Sequence, residues 1–245
     1  MKNSFQKDLF IGLSHRGNSK RFIENSFEAF NSVIQMGYKY IETDLRTTLD
    51  GEVIAFHDPD LKRLFNLDLQ VKDLTFNEIA NLFKEKNCTL LSLENALMKF
   101  PEIHFNIDLK VEEVIQDSIK VVTDFNAFDR VCFASFRSSR TEKVLRQNQH
   151  TIVSMGMKDV ALFKFFKFHN KKIKIIQIPL KWKGIKILTR NLIQKAHKSN
   201  LLVHVWTIND RKIINNLIDL GVNGIVTDEP ELLMEIMKER DLISN

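Results

Sequence analysis

Cysteine is scarce in this chain of 245 residues: there are two, Cys88 and Cys132, far apart and set in apolar stretches. They form no CxxC pair, which argues against a thiolate zinc site and against a disulfide framework. Buried free thiols in a reducing compartment are expected. Long apolar runs are absent as well. The run near the N-terminus covers only 9–13, shorter than the core of a secretory signal. No stretch reaches the roughly 18 to 20 apolar residues of a membrane span. A cytoplasmic protein is the expectation. Glycine (8) and proline (4) are few, and no linker rich in Gly, Pro or Ser separates one part of the chain from another. Charge of one sign does not dominate either: 36 Lys and Arg stand against 31 Asp and Glu, a net +5. So mild an excess is no nucleic-acid signature. It describes a solvated basic surface that favours anionic substrates or anionic lipid surfaces.

What the chain does have is alternation. Short β-rich runs recur at 9–14, 39–45, 103–109, 130–135, 151–155, 174–178, 201–207 and 223–227. Helical periodicity fills most of the gaps, at 24–36, 111–125, 190–199, 211–220 and 231–240. Alternating strand and helix patterns imply parallel strands joined by crossover helices. Eight such strands close a barrel, for which about 250 residues is a usual length. The expected fold class is α/β, a TIM-type (β/α)8 barrel forming a single domain over 1–245. An open doubly wound sheet is the weaker alternative. Almost sixty residues separate 45 from 103, more than one crossover requires. Within them, 52–57 reads as an extra strand after the Asp50-Gly51 turn, making a hairpin. An inserted subdomain after strand 2, at about 58–92 and with a helix near 76–83, is expected to follow. Such insertions lie over the C-terminal face of a barrel.

Polar residues gather where these strands end. Strand one ends Ser14-His15-Arg16-Gly17, strand two Glu42-Thr43-Asp44-Leu45-Arg46, the hairpin Phe56-His57-Asp58, and strand three Asp108-Leu109-Lys110. Residues two apart on a strand share a face, so Glu42 points with Asp44 and Asp108 with Lys110. Buried carboxylates need a counter-charge. A hard divalent cation, Mg2+ or Ca2+, suits an all-oxygen set. A salt-bridge network with Arg16 and Lys110 would serve equally, and both readings stay open on the residues alone. Five of the seven histidines read as core, surface or helix residues. His15 and His57 differ, since each follows an apolar run and flanks the carboxylates. Imidazoles titrate near neutrality and move protons. Arg16 offers a planar fork for a phosphate. Together these groups suit phosphate-ester cleavage.

The ordered fragments His15-Arg16-Gly17, Glu24-Asn25-Ser26, Ile41-Glu42-Thr43-Asp44, Asp50-Gly51, His57-Asp58, Asp108-Leu109-Lys110, Ser135-Phe136, Val205-Trp206-Thr207-Ile208-Asn209 and Thr227-Asp228-Glu229-Pro230 span nearly the whole chain. In that order and spacing the chain resembles the glycerophosphodiester phosphodiesterase family. The resemblance implies hydrolysis of a small-molecule glycerophosphodiester to glycerol 3-phosphate and an alcohol. It implies one divalent cation on Glu42, Asp44 and Asp108, and His15 and His57 as catalytic acid and base. Arg16 and Lys110 are implied near the phosphate. Two departures stand out: Asp108 where the family usually has Glu, and Ser26 where it usually has Thr. A lysophospholipase D, a phosphatidylinositol phospholipase C-like enzyme and a non-catalytic phosphodiester-binding barrel are the alternative readings.

Weaker signals complete the expectation. Trp206 and Phe136 are read as walls of the substrate pocket. Asn25-x-x-Glu28 and Asp228-x-x-Glu231 resemble helix caps, with Glu24 as a supporting group at most. Residues 162–174, LFKFFKFHNKKIK, admit a weak membrane-surface contact. The favoured reading is an outer barrel helix packed on its neighbours, its lysines reaching past apolar surface to water. No residue pattern assigns an oligomeric state.

Overall fold

Strand β1 (Ile11–His15) is buried along Ile11–Ser14 on both faces, as a strand covered inside and outside must be. The structure, a computed structural model, describes Phe5 and residues 10–243. Position 9 of the expected first run lies outside the described residues. After β1 come α1 (Phe27–Gln35), β2 (Tyr40–Thr47), β3 (Val53–Ala55), α2 (Lys62–Phe65), α3 (Phe76–Glu85) and α4 (Leu93–Lys99). Then follow β4 (His104–Leu109), α5 (Val114–Asp124), β5 (Val131–Ala134), α6 (Ser138–Gln147), β6 (Ile152–Val153), α7 (Met157–Phe166) and β7 (Ile175–Pro179). The hairpin β8 (Lys181–Trp182) and β9 (Ile185–Lys186) precedes α8 (Arg190–Lys198), β10 (Leu202–Trp206), α9 (Arg211–Asp219), β11 (Gly224–Thr227) and α10 (Pro230–Glu239).

Eight strands run parallel in the order β6-β5-β4-β2-β1-β11-β10-β7. A parallel bridge between Ser154 and Ile175 joins the two ends, so the sheet closes into the expected barrel. Side chains alternate along each strand and divide the core in two. Ile11, Leu13, Tyr40, Cys132, Ile152, Ile175 and Val226 fill the interior. Phe5 joins them, its ring 5.3 Å from Tyr40 and 5.9 Å from His104. A larger apolar layer, including Phe30, Ile41, Phe105, Phe133, Ile193 and Leu233, lies between strands and helices. Both cysteines are free and buried.

The interval between β2 and β4 holds β3, antiparallel to β2 as the hairpin reading requires, and α2, a 3-10 turn at Val71–Asp73, α3 and α4. Ile54, Phe56, Leu61, Val71, Ile79, Phe83 and Leu90 make a core of their own there. Thr75 caps α3 with a reciprocal bond to Glu78, satisfying two free donors of the first turn.

Two local expectations fail. The N-cap of α1 is Ser26, whose hydroxyl accepts from the Ala29 amide, and not Asn25. Residues 162–174 are not one packed helix: α7 stops at Phe166. Phe163 is buried, but Phe165, Phe166 and Phe168 are 72%, 75% and 67% exposed. A helix carrying apolar residues all round has more than one neighbouring layer can cover. Among the described residues, no helix is long and apolar enough to cross a membrane.

Candidate active site

Strand register brings the polar strand ends together. His15 stands beside Glu42 across β1 and β2, and Asp44 beside Asp108 across β2 and β4. These four residues, with Arg16, His57 and Lys110, line one cavity of about 240 Å³. All seven expected polar site residues therefore share it. Its apolar wall includes Phe136 and Trp206, whose rings meet edge to face at 5.4 Å.

The turn after β1 is built to aim Arg16. Arg16 itself is left-handed, at φ 60°. Gly17 follows at φ +76°, and a Cβ there would sit 2.6 Å from the Ala29 carbonyl carbon on α1. Only glycine tolerates both the conformation and the contact. Backbone bonds from Arg16 N to Glu42 O and from Asn25 N to Arg16 O, both 2.9 Å, hold the turn against β2. The guanidinium then reaches Asp44 at 2.9 Å and Glu24 at 3.0 Å.

Asp44 is 1% exposed and answered on several sides. Lys110 Nζ lies 2.8 Å from its Oδ1, and Asn25 Nδ2 donates to its Oδ2 at 3.3 Å. Thr43 fixes Asn25 by donating to its side-chain oxygen at 2.8 Å. Burial pushes the Asp44 carboxyl up, but Lys110 and Arg16 outweigh it and hold it below the usual range. Lys110 also lies 2.6 Å from Asp108 Oδ2. Burial nevertheless leaves the Asp108 carboxyl raised. Burial alone would lower Lys110; Asp44 and Asp108 reverse that and lift it to about 12.

Glu42 is the exception. Its Oε2 is buried without a hydrogen-bond partner, and the nearest cationic atom is His15 Nε2 at 3.7 Å. Burial and the Asp44 charge push its carboxyl up to about 8. Such an orphaned oxygen, in an all-oxygen donor set, fits a hard cation. Among the described residues no three His, Cys, Asp or Glu side chains already form a ligand cage. Lys110 and Arg16 occupy Asp44 and Asp108, as the salt-bridge reading anticipated, and leave Glu42 unanswered.

Each histidine has a carboxylate behind it. Asp228 Oδ1 lies 2.6 Å from His15 Nδ1, and Asp58 Oδ1 lies 2.7 Å from His57 Nδ1. Burial lowers His15, but Glu42 and the Asp228 hydrogen bond more than reverse it, so its pKa is raised. At His57 burial wins over Asp44 and Asp58, and the pKa is lowered. Opposite shifts suit one group that gives a proton and one that takes it. Neighbouring bonds position both carboxylates. Asn209 Nδ2 donates to Asp228 at 2.8 Å. Arg63, on α2, reaches Asp58 at 2.6 Å and grips both oxygens of Glu24 at 2.6 and 2.8 Å.

Three of these partners escaped the sequence reading. Asp228 was taken for a cap of the last helix, but the N-cap of α10 is Glu229 and Asp228 turns to His15. Glu24, read as a supporting group at most, has that place in the Arg16–Arg63 network. Arg63 carried no signal. Asp58 could have been found, since it directly follows His57.

Comparison with known proteins agrees with this fold. The chain matches the Glycerophosphoryl diester phosphodiesterase family over residues 15–232. The Mycobacterium tuberculosis protein named Probable glycerophosphodiester phosphodiesterase 2 is 27% identical over 241 residues, covering 94% of this chain and 91% of its own. The crystal structure of glycerophosphodiester phosphodiesterase from Thermotoga maritima superposes with a TM-score of 0.76 at 24% identity, over 93% of this chain and 98% of the other. An Oleispira antarctica phosphodiesterase in complex with the product sn-glycerol-3-phosphate superposes with a TM-score of 0.79 at 19% identity, over 94% and 96%. A family match running through nearly the whole barrel places the chain in the glycerophosphoryl diester phosphodiesterase family, and it is a phosphoric diester hydrolase.

Proposed function

We propose that this chain hydrolyses glycerophosphodiesters to glycerol 3-phosphate and an alcohol, with His15 and His57 as its acid–base pair. The observation that carries the reading is one cavity lined by both histidines, the three carboxylates, Arg16 and Lys110. The bound product of the Oleispira antarctica phosphodiesterase supports the same substrate class.

The chemistry runs in two stages. One histidine takes the proton of the glycerol 2-hydroxyl, and that oxygen attacks phosphorus. The bond from phosphorus to the alcohol oxygen breaks, and the other histidine protonates the departing oxygen. A cyclic phosphate remains. Water then gives a proton to the second histidine as its oxygen attacks phosphorus. The ring opens, and the 2-oxygen recovers its proton from the first. Arg16 and Lys110 face the non-bridging oxygens, while Phe136 and Trp206 wall the glycerol. Glu42, Asp44 and Asp108 would hold one divalent cation, Mg2+ or Ca2+, which when bound supplies further neutralisation of phosphate charge.

We read 1–245 as one barrel domain with 58–92 inserted, since Arg63 of that segment reaches back to Glu24. Two buried free thiols support a cytoplasmic setting. The test is turnover of glycerophosphocholine, glycerophosphoethanolamine and lysophosphatidylcholine after chelation, with Mg2+ and Ca2+ restored separately. Metal-dependent release of glycerol 3-phosphate from the first two is expected. No release from any of them with either ion would refute the proposal.

A further inference from the structure

Basic charge is collected on one part of this protein. Residues 160–209 contain eleven Lys and Arg and no Asp or Glu, although the whole chain has an excess of only five. The rest of the molecule is therefore net acidic. No ion pair among the described residues uses any of the eleven. Lys167, Lys171, Lys181, Lys183 and Lys186 are exposed.

Amid these lysines lie the most exposed large apolar side chains of the described residues. Phe165, Phe166 and Phe168 follow one another at the end of α7, and Ile185, 66% exposed, lies in the hairpin β8–β9. Lys164 joins the two pieces, with its Nζ 3.1 Å from the Lys186 carbonyl and 3.4 Å from that of Ile187. Single exposed apolar residues are ordinary, but a contiguous group marks a surface that something covers.

We propose that this flank, the end of α7 together with the hairpin, docks on an anionic lipid bilayer. Phenylalanine and isoleucine enter the boundary between headgroups and acyl chains, and the surrounding lysines meet the anionic headgroups. Nucleic acid would use the lysines but gains nothing from Ile185. The flank also adjoins the catalytic cavity: Trp182 of the hairpin packs on Phe136 at 5.1 Å, and Phe136 meets Trp206 at the cavity wall. Docking therefore brings the aromatic wall of the cavity beside the lipid.

Sedimentation of the full chain with vesicles tests it, using phosphatidylcholine alone and with roughly one-third phosphatidylglycerol, in about 50 mM salt. Binding should be about tenfold or more stronger to the anionic vesicles. Two variants, one with Phe165→Ser, Phe166→Ser and Phe168→Ser and one with Lys181→Glu, Lys183→Glu and Lys186→Glu, should each lose about tenfold or more. Turnover of a soluble glycerophosphodiester should stay unchanged in both, which shows that they fold. A Phe166→Trp variant should lose emission to brominated lipid. Failure to sediment with anionic vesicles, undiminished binding by the phenylalanine variant, or an unquenched tryptophan would overturn the proposal. So would binding of single-stranded RNA that the vesicles do not displace.

Discussion

Lowering the pH from about 8 to about 5 should cost this barrel about 2 kcal/mol of stability through His204 alone. The imidazole sits on β10 with no exposed surface. Its Nε2 meets no hydrogen-bond partner among the described residues, and its Nδ1 lies a long 3.5 Å from Gln177 Nε2. A cation there would be buried and unanswered, so burial pushes the pKa down from 6.5 to about 3. The unfolded chain thus binds a proton below pH 6.5 that the folded chain refuses until about pH 3. Stability is whole above the upper value and declines as pH falls, by about 1.4 kcal/mol per unit. The loss is about 2 kcal/mol at pH 5 and about 5 kcal/mol across the window. Urea unfolding followed by circular dichroism, on the parent chain and His204→Leu at a series of pH values, measures it. Other groups titrate equally in both proteins, so the difference between the two pH profiles isolates this one imidazole. The variant's profile should be flatter by about 2 kcal/mol between pH 8 and pH 5. Parallel profiles would mean that the folded barrel protonates His204 as readily as the unfolded chain does, and would refute the reasoning.

Other outcomes follow from the cavity. His15→Ala and His57→Ala should each cut turnover by about a thousandfold or more with an unchanged circular dichroism spectrum; near-normal turnover in either would remove that histidine from the mechanism. Asp228→Asn takes away the charge 2.6 Å from His15 Nδ1. It should lower kcat about 10- to 100-fold with little change in KM and move the His15 limb of the pH–rate profile to lower pH; an unmoved limb would reduce Asp228 to packing. Gly17→Ala meets both a positive φ and the Ala29 backbone. It should cost more than about 2 kcal/mol, read as a lowered Tm; an unchanged Tm would show that the turn relaxes freely.

The barrel and the heart of the site were legible because their signals are local. A barrel strand is buried on both faces while its side chains alternate with period 2, and β2 is buried without a break from Tyr40 through Leu45. The same period puts Glu42 and Asp44 on one face, and both line the cavity. Short elements were harder. Helix α4 spans only Leu93–Lys99, too few residues for a period to stand out. Helix α7 misled for a different reason. Apolar residues all round it mimic a buried helix, and only the closed fold shows that Phe165 and Phe166 have nothing to pack against.

The parts that stayed hidden share one property: each depends on a partner far away in the chain. Asp228 and His15 are 213 residues apart, and closing β11 against β1 is what makes them neighbours. Until the barrel closes, an Asp just before a helix has one plausible task, capping its first turn. Closure offers it a second, and there its two oxygens meet His15 Nδ1 at 2.6 Å and Asn209 Nδ2 at 2.8 Å. Arg63 makes the same point in reverse. From α2 it grips Glu24 and Asp58 together, 39 and 5 residues away. One side chain of the excursion thereby sets the carboxylate behind His57 and the carboxylate that steadies Arg16. The excursion reads in sequence as an interruption of the barrel; in the fold it supplies a cation that locks two acids of the site in place.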